Sequence, residues 1–287
     1  MELIAGQHVM AWGGTPLLMG ILNVTPDSFY DGGRYADPSA AVDHALKLVE
    51  EGADILDIGA ESTRPGAEPI DEAEEMRRLI PTVMDVAKVV KIPISVDTSK
   101  AQVARAAIDA GASIVNDVTA LRGDALMADT IAQSGVGLVL MHMQGTPRTM
   151  QLSPSYSNVV AEVAEFFDER LRFASDHGIA RTHIILDPGI GFGKLLENNL
   201  DLIAQLHTFT KFGCPVLVGI SRKGFIGTLL GRSVDDRLWG TAGAVSSAVG
   251  RGAHIVRVHD VASMRDVVTV ASAIHNRTIS FGREQHA

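Results

Sequence analysis

Residues able to do chemistry stand at the ends of short apolar runs all along this chain. Asn23 follows one run, Asp57 lies within a second with Glu61 just beyond it, Asp97 closes a third and Asn116-Asp117 a fourth. His142, Asp187, the triplet Ser221-Arg222-Lys223, and Arg257 with His259 continue the series. Taken singly, an Asp or Asn after such a run is as well explained by a turn or a helix cap, because its short side chain bonds nearby backbone. Repeated at run after run, these carboxylates, amides and cations compose a polar pocket for a small ligand with donors, acceptors and negative charge. The stretch Asp187-Pro188-Gly189-Ile190-Gly191-Phe192-Gly193-Lys194 invites a nucleotide reading. It does not fit, since a P-loop needs glycine where Pro188 stands and a dinucleotide fingerprint needs its third glycine where Lys194 stands. What remains is an acidic end followed by backbone bare enough to pass close under a flat ligand.

Those residues need a scaffold that gathers many run ends in one place. The runs, at residues 17–22, 55–58, 92–96, 114–115, 137–141, 184–186, 216–220 and 255–258, are rich in Val, Ile and Leu and do not alternate with polar residues. That suits parallel strands covered on both faces. Helical spacing fills the gaps, as in Val42, Ala45, Leu46 and Val49, then Met76, Leu79, Ile80 and Val83, then Val160, Val163, Phe167 and Leu171. Repeated βα units in 287 residues predict an α/β fold, a single (β/α)8 TIM barrel whose site lies at the carboxyl ends of the strands. A doubly wound open sheet is the alternative. Pro38, Asp71, Ser99 and Asp124 stand where helices should begin, and Gly52, Gly111 and Gly135 where they should end. Residues 1–15, with Ile4, Val9 and Trp12 around Gly6-Gln7, predict an N-terminal hairpin closing the barrel bottom. Residues 16–287 then form the catalytic barrel, with residues 230–237 dividing its seventh helical region. Residues 24–37, 60–70 and 144–157 are long for βα connections and are read as lids or binding loops.

Composition narrows the function further. With 46% hydrophobic and 21% charged residues the chain is globular. A net charge of −9 opposes general binding to nucleic acid, which depends on an excess of Lys and Arg. No stretch approaches the roughly 20 apolar residues of a membrane span. The single Cys214, and a first basic residue only at Arg34, favour a cytoplasmic protein without secretory or transit signals. An anionic ligand must therefore meet local positive charge.

The motifs carry a resemblance. Met19-Gly20-Ile21-Leu22-Asn23-Val24-Thr25-Pro26-Asp27-Ser28-Phe29 resembles the first signature of the dihydropteroate synthases, and Glu61-Ser62-Thr63-Arg64-Pro65-Gly66 the second. Ser95-Val96-Asp97-Thr98-Ser99, Asn116-Asp117, Met141-His142-Met143-Gln144-Gly145, Asp187-Pro188-Gly189 with Gly191-Phe192-Gly193-Lys194, Ser221-Arg222-Lys223 and Arg257-Val258-His259-Asp260 follow in the family's order. The resemblance implies condensation of 6-hydroxymethyl-7,8-dihydropterin diphosphate with 4-aminobenzoate to 7,8-dihydropteroate and diphosphate, a step of folate biosynthesis. It implies Asp97, Lys223 and Arg64 as catalytic residues, and Asp97, Asn116, Asp187, Lys223 and Phe192 around the pterin. Asn23, Thr63, Arg257 and His259 would bind diphosphate, with Mg²⁺ held by Asn23. Phe29, Thr63, Arg64, Pro65, Phe192 and Ser221 would bind aminobenzoate. Diphosphate would leave first, giving a pterin-methyl cation that Asp97 stabilises; His142 would serve packing or support the residues that touch substrate. Many relatives carry a polar residue after the Lys where this chain has Gly224. The resemblance also implies a homodimer, through residues 238–249, and a target for sulfonamides, which mimic aminobenzoate. A non-catalytic pterin-binding paralogue and a pterin-dependent methyltransferase remain as alternatives.

Overall fold

The computed structural model describes residues 1–24, 38–62 and 66–276. The chain opens with β1 (Glu2–Ala5) and β2 (His8–Ala11), an antiparallel hairpin in register from Glu2↔Ala11 to Ala5↔His8. Its turn uses Gly6 at φ +59°, a left-handed conformation that glycine adopts without penalty. After it, strands alternate with helices: β3 (Leu17–Asn23), α1 (Pro38–Glu50), β4 (Ile55–Gly59), α2 (Glu72–Val89), β5 (Ile94–Asp97), α3 (Ala101–Asp109), β6 (Ile114–Asp117), α4 (Met127–Ser134), β7 (Gly137–Met141) and α5 (Val159–Asp176). The chain continues through β8 (Ile184–Asp187), α6 (Leu196–Ala204), β9 (Leu217–Gly219), α7 (Gly224–Leu230), α8 (Leu238–Val249), β10 (Ile255–Val258) and α9 (Val261–Asn276).

Among the described residues, β3 to β10 form one eight-stranded parallel sheet in the order β8-β7-β6-β5-β4-β3-β10-β9. A parallel bridge between Leu186 and Val216 joins its two ends, helped by the Leu186 N–H donating to the Pro215 carbonyl at 3.0 Å. An open sheet would leave those edges apart, so the fold is the barrel and not the doubly wound alternative. The apolar runs account for the strands, with instructive differences at their limits. Strand β5 begins at Ile94 rather than residue 92, because Pro93 has no N–H to give a neighbour. Strands β3, β5, β6 and β8 extend over Asn23, Asp97, Asn116-Asp117 and Asp187, so these polar residues are held by the ladder itself. Register then aligns them: Asn23 pairs Gly59, Gly59 pairs Asp97, and Asp97 pairs Asn116.

The opposite end of the barrel is apolar. Leu3, Ala5 and Trp12 from the hairpin region cluster with Met19, Ile55, Ile114, Val139, Ile185, Leu217 and Ile255 from the strands. A larger core between strands and helices includes Leu22, Ile58, Leu79, Val83, Phe167 and Phe209. Helix ends follow local chemistry, with one correction. Asp71 caps α2 by accepting from the Glu74 N–H at 2.8 Å, and Gly135 closes α4 at φ +66°. Ser99 does not cap α3; the first N–H of that helix, on Ala101, donates to Asp124 Oδ2 at 2.8 Å instead. A carboxylate near a helix N-terminus is the better acceptor, because it also meets the positive end of the helix dipole.

Candidate active site at the carboxyl ends of the strands

Asp57 is the hub of the rim. It is fully buried in the middle of β4, where its Oδ1 accepts from Ser95 Oγ at 2.6 Å. Its Oδ2 accepts from Arg257 Nε at 2.6 Å and from Asn116 Nδ2 at 3.2 Å. A buried carboxylate is tolerated when its lone pairs are filled in this way. The family motifs assign Asp57 no role, whereas its place as a lone Asp inside an apolar run puts it among the pocket residues from sequence. Through Asp57 the Arg257 guanidinium is aimed across the barrel toward Asp97, whose Oδ2 lies 3.4 Å from Nη2. Burial and the neighbouring Asp57 push the Asp97 pKa up, while Arg257 pulls it down. Asn116 spends one N–H on Asp57, which leaves its carbonyl oxygen and second N–H for a ligand.

A second group forms at β8 and β9. Asp187 closes β8, buried, and accepts from the Gly189 N–H at 2.7 Å. Burial raises its pKa, opposed chiefly by Lys223. Lys223 donates to the Ile190 carbonyl and lies 4.4 Å from the centre of the Phe192 ring, a cation–π distance. Burial lowers the Lys223 pKa to about 8; Asp187 acts against this and Arg257 with it. The two groups meet over Gly219, where a side-chain Cβ would stand 3.7 Å from Lys223 Nζ and 4.0 Å from Arg257 Cδ. On the far side of the rim, Asn23 Oδ1 and Asp97 Oδ2 both lie near Gly59, 4.0 and 3.9 Å from where its Cβ would be.

The remaining strand-end residues divide between ligand-facing and structural positions. His259 approaches Ser221, with its ring Nδ1 3.0 Å from Ser221 Oγ and its N–H donating to the same oxygen at 3.2 Å. Arg222 instead fastens the two last loops by a bidentate pair with Asp260 at 2.9 and 2.6 Å. Asp117 turns away from Asn116 and accepts from Thr119 N–H, Thr119 Oγ1 and Leu121 N–H at 2.8, 2.6 and 2.7 Å. Glu61 is tied to Lys100 Nζ at 2.5 Å, which also holds the buried Glu75 at 2.5 Å. His142 is buried against Phe166, ring centroids 4.9 Å apart, and pairs with Lys194 at 2.9 Å. His142 thus packs as expected and also has a polar partner, Lys194, to which the resemblance assigns no role. Burial lowers the Lys194 pKa to about 7, with Asp187 opposing. Residues 144–157 lie against the glycine stretch: Gln151 Nε2 donates to the Gly191 carbonyl at 2.8 Å, and Tyr156 Oη to the Gly193 carbonyl at 2.7 Å. Phe29, Thr63, Arg64 and Pro65, expected at the aminobenzoate end, fall outside the described residues.

Asp97, Asn116, Asp187, Lys223, Phe192, Arg257, His259, Ser221 and Asn23 are therefore all carried by one rim. The arrangement pairs a buried acceptor for N–H donors with flanking cations suited to an anion. Comparison with known proteins agrees in kind. Residues 19–259 match the family described as "Pterin binding enzyme". The chain is 46% identical over 266 residues, 91% of its own length and 94% of the other, to an Escherichia coli protein named dihydropteroate synthase. It is similar to a Xanthomonas albilineans dihydropteroate synthase structure with 4-aminobenzoic acid, at 45% identity and TM-score 0.90 over 97% of this chain and 99% of that one. A Yersinia pestis dihydropteroate synthase structure with a sulfonamide drug complex superposes at TM-score 0.91 and 39% identity, over 96% of this chain and all of that one, 100%.

Proposed function

The chain belongs to the pterin binding enzyme family, and from that premise we propose that it condenses 6-hydroxymethyl-7,8-dihydropterin diphosphate with 4-aminobenzoate, the dihydropteroate synthase reaction. One observation carries this reading: a buried carboxylate, Asp187, faces the same space as the Lys223 ammonium and the Phe192 ring, with Arg257 alongside. A pterin edge presents adjacent N–H donors that a carboxylate accepts together, and its ring carbonyl accepts from Lys223. An unpaired group in such a pocket costs about 1–3 kcal/mol, which rejects flat rings with a different edge. Phe192 covers the ring face.

Arg257, His259 and Asn23, with Thr63, serve the diphosphate. The bond from the pterin methylene carbon to the diphosphate oxygen breaks first, and diphosphate departs with the electron pair. The ionised form of Asp97 stabilises the resulting cation; burial and Asp57 raise its pKa, and Arg257 limits that rise. The amine of aminobenzoate, already unprotonated near neutral pH, then supplies its lone pair to the methylene carbon; the ammonium so formed is acidic and gives its proton to diphosphate or water, so no strong base is required. Arg64 and Pro65, with Phe29 and Thr63, enclose the aminobenzoate, and Ser221 receives its carboxylate end. Among the described residues no cluster of three His, Cys, Asp or Glu side chains could hold a metal alone. A lone amide oxygen such as that of Asn23 fits Mg²⁺, which keeps several waters and shares substrate phosphates. Asn23 would hold the ion with the diphosphate, and the ion would neutralise charge on the departing group.

The test is diphosphate release from the pterin diphosphate with Mg²⁺, with and without 4-aminobenzoate, and the mass of the product. Metal-dependent formation of dihydropteroate, inhibited by a sulfonamide in competition with aminobenzoate, is expected. Tight pterin binding without product would mean a binding paralogue.

A further inference from the structure

We propose that Lys194 is a positioning residue for pterin recognition, fastening the glycine stretch so that the Phe192 ring stays against Lys223. The inference rests on the pterin-site reading above. Lys194 is 3% exposed, and its Nζ lies 2.9 Å from His142 Nδ1, 3.0 Å from the Phe192 carbonyl and 3.3 Å from the His142 carbonyl. Three acceptors converge on one nitrogen, which matches the three donors of an ammonium. His142 can accept at Nδ1 because it is neutral: burial first, then Lys194 and Arg122, lower its pKa to about 2.

The stretch needs such an anchor because glycine supplies no side chains to pack. Gly189 and Gly193 dock directly on the backbone after β7, where an added Cβ would meet the His142 carbonyl oxygen at 1.9 Å and the Gln144 carbonyl oxygen at 2.4 Å. Gly189 and Gly193 thus allow approach to the protein's own backbone. Neighbouring residues complete the hold, with Asn199 Oδ1 accepting from the Gly191 N–H at 2.6 Å and Tyr156 bonding the Gly193 carbonyl. Lys194 differs from them in gripping the carbonyl of Phe192 itself. Phe192 in turn faces Lys223, and Lys223 also donates to the Ile190 carbonyl on the same stretch. A shift of this backbone would displace both the ring and the ammonium that meet the pterin.

The experiment measures binding of 6-hydroxymethyl-7,8-dihydropterin diphosphate with Mg²⁺ to the full chain by calorimetry, alongside steady-state kinetics. Lys194→Met should raise the Kd and KM for this substrate on the order of tenfold to a hundredfold, the penalty of a small misplacement. Lys194→Arg, which keeps donors and charge, should recover part of that loss. In a Phe192→Leu background, Lys194→Met should add little, since a residue acting through another is not additive with it. Wild-type affinity in Lys194→Met, or losses that multiply fully in the double variant, would overturn the inference. Should Lys194→Met not fold, Lys194→Gln is measured in its place and judged by the same outcomes. Asp187→Ala separates the two levels. If it abolishes binding while the Lys194 variants bind normally, only the positioning role falls; if it binds normally, the pterin-site reading falls and takes this inference with it.

Discussion

Lys223 stands between Asp187, Arg257 and the Phe192 ring, and this crowding decides how the site responds to pH. Desolvation brings its pKa from the usual Lys range to about 8, with Asp187 resisting and Arg257 assisting. In the proposed reaction the protonated form would donate to a pterin carbonyl and offset the negative charge of the substrate. As pH rises through about 8 the free enzyme loses that proton, so kcat/KM for the pterin diphosphate should fall on the alkaline side. Lys223→Arg should remove the limb that falls through about pH 8 while lowering the plateau, and leave any change near pH 7 that comes from Lys194. A profile that stays flat to about pH 9.5 in the unmodified chain would remove Lys223 from this role. Lys194, which titrates near pH 7 for similar reasons of burial, is distinguished because Lys223→Arg leaves its titration in place.

Elements are fixed relative to one another by a few side chains placed just past the strands. Asp124 serves two helices at once: Oδ2 accepts from the Ala101 N–H of α3, and Oδ1 from the Leu126 N–H that precedes α4, at 2.8 and 2.9 Å. Asp124→Ala should therefore lower stability by about 1–2 kcal/mol, the upper range for a lost N-cap. Urea unfolding would read this as a lower midpoint with unchanged slope; an unchanged midpoint would show that water replaces the cap. Arg222 and Asp260 act likewise between the loops after β9 and β10, near Lys223 and His259. The site is thus braced from outside the pocket, which leaves the inward-facing groups for substrate.

At the scale of the molecule, the outer helices carry apolar surface that the barrel core does not use. Trp239 at the start of α8 is 83% exposed, and Val270 and Ile274 on the adjoining α9 are 59% and 74% exposed. Large exposed apolar side chains on two packed helices suit an interface between two copies of the chain. We expect a homodimer in sedimentation equilibrium at micromolar concentration, converted to monomer by Trp239→Glu. A monomeric unmodified chain, or a variant that remains dimeric, would place the contact elsewhere or remove it. Among the described residues no helix is long and apolar enough to cross a membrane.

Much of this protein is legible in the sequence because its determinants are local. A run of Val, Ile and Leu with no polar alternation makes a doubly covered parallel strand wherever it sits, and a polar residue at its end must lie on the rim where all such strands finish. That reasoning finds the barrel, and it reaches Asn23, Asp97, Asn116, Asp187, Lys223 and Arg257. Pairings between rim residues are another matter. Asp57 and Arg257 stand 200 residues apart, and they meet only because the barrel closes with a particular register. The same holds for Asp124 displacing Ser99 as the cap of α3, and for Lys194 reaching His142 across the β7 and β8 ends. Asn116 and Asp117 are neighbours of nearly equal polarity, yet successive residues of a strand face opposite ways, so one meets the pocket and the other shapes a loop. Local spacing determines which residues arrive at the rim; closure of the sheet decides which of them touch.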